Sequence, residues 1–364
     1  MLFTKFDLSD PTVFEKFALM QTDHSATWEH YYKIYNRTFS KIIAKGLTQN
    51  YAFNPTAHAL MFLLRHTLEL NLKYNLDLKG KPVPHVHGLA AIANEFGAPY
   101  PVPSGLAHVI QQSGNDGDGA CWRYWGNSYD GIPYFNYTDR VELVPLIREL
   151  NSVPSVADYR FDPVSAPFNY ENNPVKWNLT LHMGQCYNDW QVKCEYDEAI
   201  SILIGLVESG EAPLNDLYLP LLFLIRHAIE LALKRNIAEI QPVSDDISQK
   251  DMRAKHSLAQ LYNVFSQYLD RLDMSKLSQT TRDQYNEYRT NYDQLNDSLH
   301  QLDSHSRAFR YPFDKDGNPQ QLNLQKTQLK DILKLYQITD PFLTFTTNIL
   351  IENNLLNYDP DVHG

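Results

Sequence analysis

The residues best suited to chemistry lie in a stretch that occurs twice in the chain. Residues 62–73 read FLLRHTLELNLK and residues 223–234 read FLIRHAIELALK, with eight of the twelve positions identical. Each copy spaces an Arg, a Glu and a Lys four residues apart, so on a helix the three charges form one row. A His follows the Arg. These recurring residues are Arg65, His66, Glu69 and Lys73 in the first copy, and Arg226, His227, Glu230 and Lys234 in the second.

Other polar residues recur farther along each copy. A His opens the next predicted helix, and an Asp stands seven positions before an Arg-Tyr pair. The recurring pairs are His87 and His256, Asp116 and Asp303, Arg123 and Arg310, and Tyr124 and Tyr311. We expect the Asp and the Arg-Tyr pair to be partners of the charge row, tying the end of each copy onto its central helix.

The charge row permits two interpretations. In the favoured one it is a structural line of ion pairs on an otherwise apolar helix, because an unpaired buried charge is costly. In the other, Arg, Lys, His and Tyr converge on a phosphate or a nucleotide. Arg would then bind the phosphate through its fork, Lys would act as a point charge, and Tyr311 would stack on a base.

Catalytic candidates are confined to the second copy. His300 and His305 lie near Arg310 and Tyr311 in the sequence, and a pair of imidazoles suits acid–base cleavage of RNA. The sequence contains no phosphate-binding loop, dinucleotide fingerprint, zinc-protease motif or serine-hydrolase elbow. His85 and His87 lack Cys or carboxylate support in the sequence, so we expect neither a metal site nor a cofactor.

Helices must position these residues. Leu residues four apart, from Leu60 to Leu76, make the first charged helix apolar nearly all round, which is typical of a buried central helix. An aromatic stripe predicts another helix over about residues 26–44, and equivalent residues of the two copies stand 161 positions apart, as Tyr35 and Tyr196 do. Strand signals are sparse. The sequence predicts an all-α fold of two tandem helical bundles, over residues 1–150 and 175–364, joined by a linker over 151–174.

Two local patterns add detail to this prediction. Asp10-Pro11 and Asp340-Pro341 each resemble a helix cap followed by proline in the first turn, so each is expected to begin a helix. Residues 140–150 form an amphipathic segment that closes the first copy.

The composition narrows the function classes. The formal charge is −11, from 32 basic and 43 acidic residues, which argues against broad nonspecific binding to nucleic acid or anionic membrane. The longest apolar run, near Leu217–Ile225, is too short to span a bilayer. Three cysteines without a CxxC spacing, and an N-terminus without a signal-peptide pattern, predict a cytoplasmic protein.

The motif Arg-His-x-x-Glu-Leu-x-Leu-Lys, followed by a loop and His-x-Leu, resembles the HEPN superfamily of helical-bundle proteins. Both copies carry it, over roughly residues 26–150 and 190–340. The resemblance implies a bundle that dimerises through helix faces, so that two copies in one chain form an internal pseudo-dimer. It also implies a ribonuclease or an RNA-binding partner in bacterial toxin–antitoxin or phage-defence systems.

The chain departs from the nuclease pattern of that family. Family ribonucleases carry an Arg followed, after four to six residues, by a catalytic His, and none of the 13 His residues here has an Arg at that distance. We therefore expect a non-catalytic binding or regulatory protein that recognises a nucleotide, RNA or a protein partner. The alternatives are an atypical endoribonuclease with its site near His305 and Arg310, and a structural oligomerisation module such as a homodimer.

Overall fold

The structure is a computed structural model, and it is mostly helical, which confirms the predicted fold class at that level. The residues it describes are 10–17, 27–48, 53–96, 117–127, 131–152, 159–164, 179–240, 256–270, 273–302, 307–320 and 326–352. The chain divides into two compact units. The larger unit comprises residues 18–224 and 308–322, and the smaller comprises residues 1–17, 225–307 and 323–364. The predicted domain boundaries follow the repeat and not these units, so they stay a prediction.

The elements of the described residues are named in chain order. They are α1 (Pro11–Lys16), α2 (Trp28–Thr48), α3 (Ala57–Leu78), α4 (Leu89–Asn94), β1 (Arg140–Glu142), α5 (Leu143–Ser152), β2 (Thr180–His182), α6 (Asp189–Glu208), α7 (Tyr218–Ile240), α8 (Leu258–Leu269), α9 (Gln279–Leu302) and α10 (Lys326–Glu352). Short 3-10 turns connect several of them, including Asn54–Thr56, Ala120–Trp122 and Met183–Gln185.

Helix α3 is the buried centre of the larger unit. Every residue from Ala57 to Leu76 is buried, as the nearly all-round apolar pattern predicts. Two residues after its last turn, Gly80 adopts a left-handed backbone with φ of 62°, a conformation that suits glycine and ends the helix. The first turns of α7 belong to the same unit, and Phe223 at their end is fully buried. The charge row of α3 therefore lies where water cannot compensate it.

A two-stranded sheet occupies part of the segment expected to close the first copy. Strand β1 pairs antiparallel with β2, with Val141 opposite Leu181. Helix α5 begins directly after β1, at Leu143. Both Val141 and Leu181 are buried, so the pair covers the core on one face while its neighbours point outward. The sequence does not predict this sheet, because an alternation of polar and apolar residues over only three positions is too short to indicate a strand.

Part of the predicted linker packs on the central helix. Residues 159–164 are described, and Tyr159, Phe161 and Val164 among them are buried. The backbone of Arg160 is bound by α3, because its carbonyl accepts from the Asn71 amide at 2.8 Å and its N–H donates to the Asn75 side chain at 2.7 Å. This segment therefore satisfies polar side chains of α3 as well as covering its apolar surface.

The smaller unit contains one departure from the predicted helix boundaries. Asp10 caps α1 as expected, accepting from the Thr12 N–H at 2.8 Å. The expected helix start at Asp340-Pro341 is wrong, because α10 continues through Pro341. Just beyond the proline, Phe342 is fully buried and meets an aromatic residue of α9, Tyr292, with ring centroids 5.2 Å apart. The burial of Phe342 against α9 outweighs the loss of the one backbone hydrogen bond that proline cannot make.

Within the described part of the chain, no helix combines the length and the apolar character that crossing a membrane requires.

Candidate functional site

A buried carboxylate organises the charge row of α3. Glu69 receives Arg65 Nη1 at 2.6 Å on one oxygen, and Lys73 Nζ at 2.9 Å on the other. His87, from the loop before α4, places Nδ1 at 2.9 Å from the second oxygen. Arg65 also donates to the backbone carbonyl of His87. Together with Tyr311, these residues are called the Glu69 cluster.

The same arrangement recurs on α7 in the smaller unit. Glu230 is bound by Arg226 Nη1 at 3.1 Å, by Lys234 Nζ at 2.8 Å and by His256 Nδ1 at 2.9 Å. Arg226 donates to the backbone carbonyl of His256, as Arg65 does to that of His87. These four residues are called the Glu230 cluster. The recurring sequence positions therefore build one recurring contact set.

Electrostatics keep both carboxylates ionised. Burial by itself favours the protonated form, but Lys73, the hydrogen bond of His87, and Arg65 outweigh it and hold the pKa of Glu69 well below its ordinary value. For Glu230 the opposing burial is likewise outweighed, by Lys234, His256 and His227, and its pKa is also held well below the ordinary value. Each Glu is thus an anion surrounded by donors, which is the condition under which a buried charge is tolerated.

Tyr311 completes the Glu69 cluster from a distant part of the chain. Its hydroxyl donates to Glu69 at 3.3 Å and lies 3.0 Å from His87 Nδ1. Burial raises the pKa of Tyr311, so the hydroxyl keeps the proton that it donates. The Lys73 amine lies 5.0 Å from the centre of the Tyr311 ring and 5.4 Å from that of Trp28, so aromatic faces cover the cation.

His66 is a neutral structural histidine. Its ring is buried, and Nε2 lies 3.0 Å from the backbone carbonyl of Arg310, which can only accept, so Nε2 carries the proton. Burial lowers the pKa of His66 to about 4. The ring stacks on Phe62 with centroids 5.5 Å apart. A histidine that stays neutral and is held on two sides serves packing rather than proton transfer.

Contacts in the larger unit join equivalent positions of the two repeats. Tyr35 donates its hydroxyl to the Phe309 carbonyl at 3.0 Å, and Tyr196 donates its hydroxyl to the Trp122 carbonyl at 3.0 Å. These two bonds are equivalent, because the tyrosines stand 161 residues apart and each acceptor immediately precedes a recurring Arg. Phe62 stacks on its own equivalent, the residue 161 positions later, Phe223, with ring centroids 4.4 Å apart.

The remaining candidate residues are placed as follows. Arg123 forms an ion pair with Asp118 at 3.3 Å, and its guanidinium lies over the Tyr124 ring at 5.4 Å. Arg310 lies over the rings of Phe223 and Tyr311, 5.4 and 5.3 Å from their centres. Outside the described residues lie Asp116, Asp303, His305 and the side chain of His300.

Three residues contact the charge rows in a way that the sequence did not predict. His87 and His256 were expected only to open a helix, but each binds the Glu of its cluster through Nδ1. The recurrence of this His in both copies was the one sequence feature that could have indicated its contact with the Glu. Tyr311 was expected to serve its own copy, yet it binds Glu69 of the first. The predicted partnership of Asp116 and Asp303 with the row stays a prediction.

Comparison with known proteins identifies no relative: no family model, no curated protein and no solved structure matches the chain.

Removing the carboxylate from either cluster is predicted to destabilise the protein strongly. Glu230→Ala leaves Arg226 and Lys234 buried without their anion, and Glu69→Ala does the same to its partners. Each should lower the free energy of unfolding in urea by about 3–5 kcal/mol. Glu211→Ala is the control, because Glu211 pairs with Lys45 at the surface and its loss should cost at most about 1 kcal/mol. A Glu230→Ala chain as stable as this control would contradict the buried cluster.

Stability is predicted to depend on pH through His66. The folded state holds its pKa near 4, below the value of about 6.5 of a free histidine. The unfolded chain therefore binds the proton first, and stability falls as the pH drops from about 6.5 towards 4. His66→Gln, which keeps a donor for the Arg310 carbonyl but cannot titrate, should flatten this decline. The measurement is the melting temperature across that pH range.

The control for that measurement is His85→Gln, because His85 is an exposed loop histidine. Its profile should follow that of the wild type. A His66→Gln profile with the full wild-type slope would show that His66 is not the responsible group.

Proposed function

We propose that the chain is a tandem pair of HEPN-like bundles that associate as an internal pseudo-dimer. The repeated contact sets support this proposal, since Glu69 and Glu230 have the same kinds of partners at nearly the same distances. The stacking of Phe62 on Phe223 supports it further. A residue that contacts its own equivalent is the signature of a two-fold axis. The equivalent tyrosine bonds to the Phe309 and Trp122 carbonyls agree with such an axis.

The function we propose is a non-catalytic one: a binding or regulatory protein that recognises a protein partner. The observation that carries it is the use of the basic residues. Arg65, Lys73, Arg226 and Lys234, the groups that would hold a phosphate, are all buried and all paired with a Glu. A cation committed to an internal carboxylate is not offered to RNA or to a nucleotide.

Charge supports the same choice of partner class. Nucleic-acid binding draws its affinity from Lys and Arg that neutralise phosphates, and this chain has a formal charge of −11. The absence of the family's Arg-His nuclease spacing supports a role in recognition rather than cleavage. By resemblance, we place that role in a bacterial phage-defence or toxin–antitoxin system.

The proposal predicts that the pure protein neither cleaves RNA nor binds nucleotides. The full chain is incubated with total RNA and examined on a gel, and it is titrated calorimetrically with nucleotides and short RNAs. We expect intact RNA and no heat of binding. In co-expression with the products of adjacent genes, we expect one of them to co-purify in a fixed stoichiometry.

The same assays can overturn the proposal. RNA cleavage that disappears in Arg310→Ala would establish the alternative ribonuclease site, and cleavage that survives this change would place the site elsewhere. Nucleotide binding that disappears in a folded Arg65→Met chain would show that the Glu69 cluster binds a ligand after all.

A further inference from the structure

Three side chains that could ligate a metal converge in the larger unit, away from the Glu69 cluster. They are His58 at the start of α3, Cys186 just after the turn Met183–Gln185, and Glu195 in α6. His58 Nδ1 lies 2.8 Å from Glu195 Oε2. Cys186 Sγ lies 3.2 Å from Glu195 Oε1 and 3.9 Å from His58 Nδ1. One nitrogen, one sulfur and one carboxylate group therefore face a common point.

The surrounding structure fixes these ligands. His58 is buried, its ring meets Phe135 edge-on at 5.7 Å, and its backbone N–H donates to Glu195 at 2.6 Å. The turn that presents Cys186 packs tightly on the backbone of Asn136. Gly184 lies so close to the Asn136 carbonyl oxygen that a Cβ there would collide with it. Ligands held on rigid elements need little rearrangement to receive an ion.

We propose that His58, Cys186 and Glu195 bind a single zinc ion. A tetrahedral zinc with bonds of about 2.0 Å to N and O and about 2.3 Å to S holds its ligand atoms roughly 3.3–3.6 Å apart. In the structure His58 Nδ1 lies 2.8 Å from Glu195 Oε2, Cys186 Sγ lies 3.2 Å from Glu195 Oε1, and the nitrogen and the sulfur lie 3.9 Å apart, so the two contacts to the carboxylate use different oxygens. Three protein ligands leave the fourth position for a water molecule or a further ligand.

The repeat indicates that this trio is not needed to build the bundle. By the offset of 161 residues, the position equivalent to His58 is Leu219 and the position equivalent to Glu195 is Ile34. Both are apolar and buried. The Arg, Glu, Lys and His of the two Glu clusters recur in both copies, whereas this trio occurs once. The aliphatic residues at both equivalent positions support a purpose for His58 and Glu195 beyond building the repeat.

The opposing interpretation is a hydrogen-bonded trio without metal, in which the Cys186 thiol and the His58 ring both donate to Glu195. Cobalt substitution separates the two. Full-length protein is stripped with a chelator and titrated with Co²⁺, and the thiolate-to-cobalt charge-transfer band and the tetrahedral d–d bands are recorded. We expect one Co²⁺ per chain with both sets of bands, and displacement of Co²⁺ by Zn²⁺ in a chromophoric-chelator competition.

Cys186→Ser and Glu195→Gln are the test variants, and Cys194→Ser is the matched control, since Cys194 is a half-buried cysteine next to Glu195 in the sequence. Cys186→Ser should lose the charge-transfer band, and each test variant should weaken zinc binding at least about tenfold. The control should bind like the wild type. Circular dichroism verifies that each variant is folded, and Zn²⁺ should raise the melting temperature of the wild type but not that of Cys186→Ser.

Failure of the wild type to take up metal would overturn the proposal. So would a charge-transfer band that persists in Cys186→Ser, or one that is lost in Cys194→Ser. If Cys186→Ser does not fold, Glu195→Gln decides: unchanged zinc affinity in that variant would exclude the site. None of these outcomes bears on the proposed recognition of a protein partner.

Discussion

A buried, ionised glutamate is the constraint on which each charged helix depends. An apolar helix can carry Arg, Glu and Lys inside a core only if the carboxylate binds both cations and finds further donors. In the Glu69 cluster those donors come from the loop before α4 and from Tyr311, and in the Glu230 cluster from His256. The loop is held in return, because the Arg of each helix donates to the backbone carbonyl of the same His.

This mutual arrangement explains why the two sequence copies preserve these particular residues. Loss of the Glu leaves two buried cations without their anion, while loss of the His removes one donor that is partly exposed to solvent. His87 exposes 29% of its side chain and His256 46%, so the imidazoles close the clusters at their outer ends. At Glu69 the Tyr311 hydroxyl is a further donor. The clusters are therefore alike as scaffolds, whereas the zinc site that we propose takes His58 from the first copy and Cys186 and Glu195 from the second.

Local spacing made the central elements predictable. The Leu rows and the four-residue charge spacing indicated a buried helix with paired charges, and α3 has both. The contact between Tyr311 and Glu69 could not be predicted in the same way, because 242 residues separate the two and no local pattern links them. The trio of His58, Cys186 and Glu195 was missed for the same reason, since 128 residues separate the first two. At Asp340-Pro341 the expected helix start was wrong, because the helix continues through the proline and buries Phe342 just beyond it.

Replacing the Glu230 row as a unit tests most directly whether it is a self-compensated structural cluster. The measurement compares the unfolding free energy of the triple variant Arg226→Met, Glu230→Leu, Lys234→Met with those of the three single variants. If the charges compensate one another, the triple variant removes them together, and its stability should lie within about 1–2 kcal/mol of the wild type or above it. Each single variant should be clearly less stable. A triple variant whose loss equals the sum of the single losses would show three independent groups and contradict the account.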